Sequence, residues 1–108
     1  MKINRGDIIK LDLDPVKGVE QHGFRPALVI SNNFFNKVAK LLIVMPITNT
    51  NKGFPLHLPL DERTKTTGVI LCEHARTIDP TKINVKFIEK APDDLVEKAI
   101  DISVSTIE

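Results

Sequence analysis

Within six residues, Glu20, Gln21, His22 and Arg25 gather a carboxylate, an amide, an imidazole and a guanidinium. Gly18 and Gly23 bracket the first three and let the segment bend at both ends. Pro26 follows Arg25 and opens the apolar run Ala27, Leu28, Val29, Ile30. A residue before proline is biased toward extended backbone, and proline in a sheet is confined to a strand start or an edge. Arg25 is therefore expected at the mouth of a strand, with a rigid base and a movable loop before it. Together these side chains are a dense set of chemistry for one loop.

The distribution of charge says more than its sum. Net charge is only +1, but five acids and a single lysine lie between Asp93 and Glu108, so the first 92 residues carry a net +5. Between Pro15 and Leu60 the basic residues are Lys17, Arg25, Lys37, Lys40 and Lys52, and the only acid is Glu20. A polyanion can be steered to such a surface, although taken alone the distribution is better explained by ordinary solvated lysines. With 108 residues the chain makes one domain, 1–108, near the size at which a partner subunit often supplies extra burial. It has no apolar run long enough for a membrane span, and acids interrupt MKINRGDIIKLDLD where a signal peptide needs apolar residues, so a cytoplasmic protein is expected. The single cysteine, Cys72, excludes an internal disulfide and fits a reducing compartment.

The elements that must position these residues are mostly strands. DIIKLDL, 7–13, sets Ile9, Leu11 and Leu13 against Lys10 and Asp12, the period of a half-buried strand. A second strand runs from about Arg25 to Ser31. Asn32 and Asn33 read as turn or cap residues, and FFNKVAK as at most a short helical turn. The run 41–48, LLIVMPIT, is apolar on both faces and reads as a central strand. FPLHLPL, 54–60, places Phe54, Leu56, Leu58 and Leu60 inward and Pro55, His57 and Pro59 outward, as an edge strand. VILCE, a short extended piece at 76–78, and KINVKFIE supply the remaining strands, the last with Ile83, Val85 and Phe87 on one face. From Pro92 the period changes: Leu95, Val96, Ala99, Ile100, Val104 and Ile107 recur at three- and four-residue spacing, with Asp93 and Asp94 at the positive end of the helix macrodipole. The expected fold is mainly β, a small curved barrel over about 1–91 closed by a helix over about 92–107.

In order and spacing, GDIIKLDLDPVKGVEQHGFRPALVIS, VMPIT, KGFP and TGVILCEHARTID resemble the MazF/PemK family of bacterial toxin endoribonucleases, across nearly the whole chain. The resemblance implies an SH3-like barrel with a C-terminal helix and a homodimer. It implies cleavage of single-stranded RNA at short sequence motifs, without metal or cofactor. It also implies neutralisation by an antitoxin whose acidic, disordered C-terminal segment covers the RNA surface. The family's catalytic arginine falls on Arg25, its catalytic threonine on Thr48 and its loop glutamate on Glu20. Some members carry a histidine after the loop glycine and an arginine and aspartate in the fifth strand; here those positions are Val19, Leu71 and Glu73, so an acid/base scheme built on them has no counterpart.

Cutting RNA through its own 2′-hydroxyl builds charge on the phosphoryl oxygens, and Arg25 and Thr48 suit its stabilisation. Arginine stays protonated, so Glu20 is the candidate base or substrate positioner, with His22 second. Lys17, Lys52 and Arg76 are candidates for phosphates, and Gln21, His22 and Asn49 for other RNA contacts. The chain has no Trp or Tyr, which leaves Phe24 and Phe54 as stacking platforms, although Phe54 shares a face with three leucines and fits core packing as well. His57 reads as surface, Cys72 as buried packing, and the Cys-x-His at 72–74 is too sparse for zinc. The same fold also serves toxins that bind and inhibit DNA gyrase, a non-enzymatic alternative that would not need Arg25 and Thr48 together.

Overall fold

The computed structural model describes residues 2–12, 24–51 and 53–108. Seven strands and two helices follow one another as β1 (Asp7–Leu11), β2 (Arg25–Val29), α1 (Asn33–Ala39), β3 (Leu42–Thr48), β4 (His57–Pro59), β5 (Val69–Leu71), β6 (Arg76–Ile78), β7 (Val85–Lys90) and α2 (Asp93–Ser105). The strands form one antiparallel sheet in the order β4-β5-β3-β2-β1-β7, with β6 pairing the first half of β3 and β5 the second. β3 is the central strand, as its two-sided apolar run requires.

Alternation along the strands divides the core in two. Ile8, Leu28, Met45, Ile47 and Ile70 pack on one face beneath Leu95, Val96 and Ala99 of α2. On the other face lie Ile9, Leu11, Ala27, Val29, Val44 and Ile78. Each fully buried aliphatic side chain contributes about 1.5–3 kcal/mol, so both faces of β1, β2 and β3 are tightly specified in register. The far ends of the sheet are drawn together by Glu89 on β7. Its carboxylate accepts the Lys65 and Thr66 backbone N–H groups at 3.0 and 2.8 Å and the Thr66 hydroxyl at 2.8 Å. The loop between β4 and β5 is thereby tied across to β7, and the sheet curls into the barrel that the sequence implies. Arg63, in the same loop, bridges Asp61 and both oxygens of Asp94 on α2.

Five expectations change in detail. α1 is a full seven-residue helix rather than one turn, because the Asn32 side chain caps the Phe35 N–H at 2.8 Å and Lys40 closes it in the left-handed region at φ 58. The FPLHLPL strand shortens to His57–Pro59, since the His57 N–H bonds back to the Phe54 carbonyl in a turn. Phe54 consequently faces outward, at 46% exposure, instead of joining the leucines. Phe87, expected inward, is also exposed, on the end strand of the sheet. The helix expected over 92–107 spans Asp93–Ser105 with Pro92 as its cap residue, and Val104 and Ile107 are exposed beyond the buried stripe.

Candidate functional site

β2 begins at Arg25 and β3 ends at Thr48, and these strands are neighbours. Their register pairs Leu28 with Met45 and Ala27 with Pro46 and ends there; by alternation Arg25 shares a face with Ala27, and Thr48 with Pro46. Residues directly opposite in an antiparallel pair share a face. The guanidinium base and the hydroxyl therefore rise from the same side of the sheet at its open end. Arg25 is exposed and, among the described residues, forms no ion pair.

The Thr48 hydroxyl accepts the Thr50 N–H at 3.1 Å, which fixes its oxygen and leaves the hydroxyl proton to be donated elsewhere. The backbone there is held by Gly68, at φ +116, where an added Cβ would overlap the Thr48 carbonyl. Asn49 accepts the Thr67 hydroxyl at 2.9 Å through its side-chain oxygen, and its amide hydrogens have no partner among the described residues. One guanidinium and one oriented hydroxyl on the same rim can hold the oxygens of a single phosphate as charge grows on them.

The remaining candidates divide. Phe24 and Asn49 line one groove of about 350 Å³ with Lys10, Pro26 and Ile88, on the opposite side of the sheet from Arg25. Arg76 is exposed on β6, paired with Val44 of β3, which places it on the Arg25 face but toward the other end of the strand. Phe54 stands edge-on to His57, ring centroids 5.0 Å apart, at the β4 edge and away from the groove. Lys17, Glu20, Gln21, His22 and Lys52 lie outside the described residues.

Sequence reasoning missed one cluster. His57, read as surface, is mostly covered and its Nε2 lies 2.9 Å from Glu73 Oε2, with His74 Nε2 at 3.7 Å from the same oxygen. Burial pushes the Glu73 carboxyl up, but its own backbone N–H and the His57 contact outweigh this and hold it below the ordinary carboxylate range. His57 Nδ1 and Glu73 Oε1 are buried with no partner among the described residues. The only signal for the pair is the hairpin that sets His57 opposite Leu71, two residues before Glu73. Cys72 is fully buried, as expected, and burial, with the Glu73 charge, pushes its thiol up to about 11. Among the described residues no three His, Cys, Asp or Glu side chains gather in a metal-binding group, and no helix is long and apolar enough to cross a membrane.

Comparison with known proteins gives a consistent picture. Residues 4–102 match the family model described as PemK-like, MazF-like toxin of type II toxin–antitoxin system. The chain is 36% identical over 115 residues to Endoribonuclease EndoA of Bacillus subtilis, covering 100% of this chain and 99% of that protein. It is 34% identical over 103 residues to Endoribonuclease PemK of Escherichia coli, covering 91% and 77%. Among solved structures, MazF from Deinococcus radiodurans superposes with a TM-score of 0.85 at 30% identity, covering 97% of this chain and 96% of that one. A MazE-MazF complex from the same organism gives a TM-score of 0.87 at 28% identity, with coverage of 97% and 95%.

Proposed function

We propose that this chain, which belongs to the PemK-like, MazF-like toxins of type II toxin–antitoxin systems, is an endoribonuclease that cuts single-stranded RNA at short sequence motifs and is silenced by a cognate antitoxin. The observation that carries this reading is the placing of Arg25 and Thr48 at one end of adjacent strands, both accessible and neither committed to an ion pair among the described residues.

The chemistry follows from the substrate. The ribose 2′-oxygen loses its proton and bonds to the adjacent phosphorus; the bond from phosphorus to the 5′-oxygen breaks, and that oxygen leaves with a proton. The products are a 2′,3′-cyclic phosphate and a 5′-hydroxyl. Arg25 grips the phosphoryl oxygens through two parallel N–H donors, and Thr48 donates its hydroxyl to one of them. Neither can be the base, because arginine stays protonated and a threonine hydroxyl is far too weak. Glu20 takes that role or positions the ribose, with His22 as the second candidate.

The active form is a homodimer in the cytoplasm, where mRNA is the substrate. The solved MazE-MazF complexes support an antitoxin partner for this chain too. A gyrase-binding role has no support among these relatives, whose names are those of endoribonucleases. The test is to incubate purified protein with one long single-stranded RNA in EDTA and map the new ends. Discrete cuts bearing cyclic phosphates are expected; intact RNA, or cutting only after a divalent ion is added, would overturn the scheme.

A further inference from the structure

Adjacent residues on an extended strand point to opposite faces, so where Arg25 rises on one side of the sheet, Phe24 and Pro26 lie on the other. Thr48 and Asn49 part in the same way at the end of β3. The open end of β2 and β3 is thus a lip, with the proposed cleavage residues on one side and the groove of Lys10, Phe24, Asn49 and Lys65 on the other. A single strand of RNA bent over this lip would present its phosphate to Arg25 and Thr48 and its next nucleotide to the groove.

The groove has the chemistry for that nucleotide. Register pairs Lys10 of β1 directly with Lys86 of β7, on the side that Pro26 shares. Two like charges set opposite on neighbouring strands repel each other, and among the described residues neither lysine forms an ion pair. An anion placed between them relieves that repulsion. Lys65 adds a third cation at the groove wall, where the Glu89 carboxylate holds its backbone. Phe24 supplies the flat apolar surface: it is 44% exposed, and the Lys86 ammonium lies 6.0 Å from its ring centroid. A base on the ring with its phosphate against the ammonium uses both features together. The volume, about 350 Å³, suits one nucleotide rather than a folded partner.

We propose that this groove is an RNA subsite, with Phe24 stacking the base next to the scissile phosphate and Lys10 and Lys86 holding that nucleotide's phosphate. The subsite rests on the reading of Arg25 and Thr48 as the cleavage site and extends it across the lip. It makes Lys10 and Lys86 positioning residues whose effect depends on that nucleotide's charged phosphate being present.

The experiment compares two oligonucleotides of one sequence around a mapped cleavage site, one natural and one modified so that the nucleotide next to the scissile phosphate is abasic and its own phosphate is an uncharged methylphosphonate. For wild type and for Lys10→Gln with Lys86→Gln, kcat/KM is measured on both at several salt concentrations. The ratio of natural to modified substrate is expected to fall about tenfold in the double variant, mainly through KM. The salt slope on the natural RNA should flatten by about 0.7 for each phosphate that the variant no longer neutralises. Lys10→Arg with Lys86→Arg should restore the ratio, and Phe24→Leu should lower it without changing the slope. An unchanged ratio in the glutamine variant overturns the subsite while leaving the cleavage reading intact. Wild-type protein that cuts neither oligonucleotide overturns the cleavage reading itself. If the glutamine variant keeps its ratio but loses binding to an acidic antitoxin peptide, the groove is a protein-docking surface and the RNA assignment falls.

Discussion

The two sides of the barrel treat charge in opposite ways. At the β7 side, Glu89 is saturated by three donors and ties the β4–β5 loop across the sheet. At the open end of β2 and β3, Arg25 is exposed and forms no ion pair among the described residues. A charge whose hydrogen-bonding capacity is spent inside the protein does architectural work, and one left open is available to a ligand. The His57–Glu73 pair stands between these extremes, bonded through one atom of each partner and orphaned at another.

The largest test of this contrast is Arg25→Ala. Cleavage should drop by about a thousandfold or more, in line with losing a transition-state donor that carries full charge, while the circular dichroism spectrum and melting temperature stay as they are. A variant that melts early would make Arg25 structural and erase the distinction. Thr48→Val should slow cleavage by about tenfold to a thousandfold, the cost of one missing donor; single-turnover rates on a mapped RNA measure it, and an unaltered rate leaves only the packing role.

Glu89→Ala should do the reverse of Arg25→Ala. Denaturant unfolding is expected to show a loss of about 2 kcal/mol, for a charged group with several hydrogen bonds in a half-buried site. Burial pushes the Glu89 carboxyl up, but the Lys65 and Thr66 donors outweigh it and hold it below its ordinary value of 4.5. Its contribution is therefore complete above that value and is lost as pH falls through the lowered one. Glu89→Gln should remove this part of the acid sensitivity, and a variant whose stability tracks wild type across acid pH would show that the tie is unimportant.

The smallest effect is expected at the intermediate pair. Replacing both partners together, His57→Phe with Glu73→Leu, should alter stability by less than about 1 kcal/mol, because exchanging a half-satisfied polar pair for apolar groups is close to neutral. The comparison sharpens if that double variant folds normally yet cuts RNA poorly, since the orphaned atoms would then serve the substrate.

Much of this was legible in the residues. Alternation located β1, the apolar run gave β3 its central place, and Arg25-Pro26 marked the start of a strand. The amphipathic stripe of Leu95, Val96 and Ala99 announced the helix that covers one face. Elsewhere the pattern was silent or misleading. Phe34 and Val38 of α1 point to solvent, so no apolar stripe advertised that helix, and a backbone cap decided its length. Phe54 obeyed the alternation in sequence but fell in a turn, because the ladder begins only at His57. The lysine pair of β1 and β7 exists only through long-range register, as does the contact of His57 with Glu73. Charges that meet across strands leave no trace in local periodicity.

Gly68 carries no functional group, yet its bare α-carbon is what lets the tip of β3 settle where it does. A lone methyl there would shoulder the threonine carbonyl aside and shift the hydroxyl beside it. Under the proposed scheme, a change at a position with no reactive group of its own would therefore be enough to silence the site.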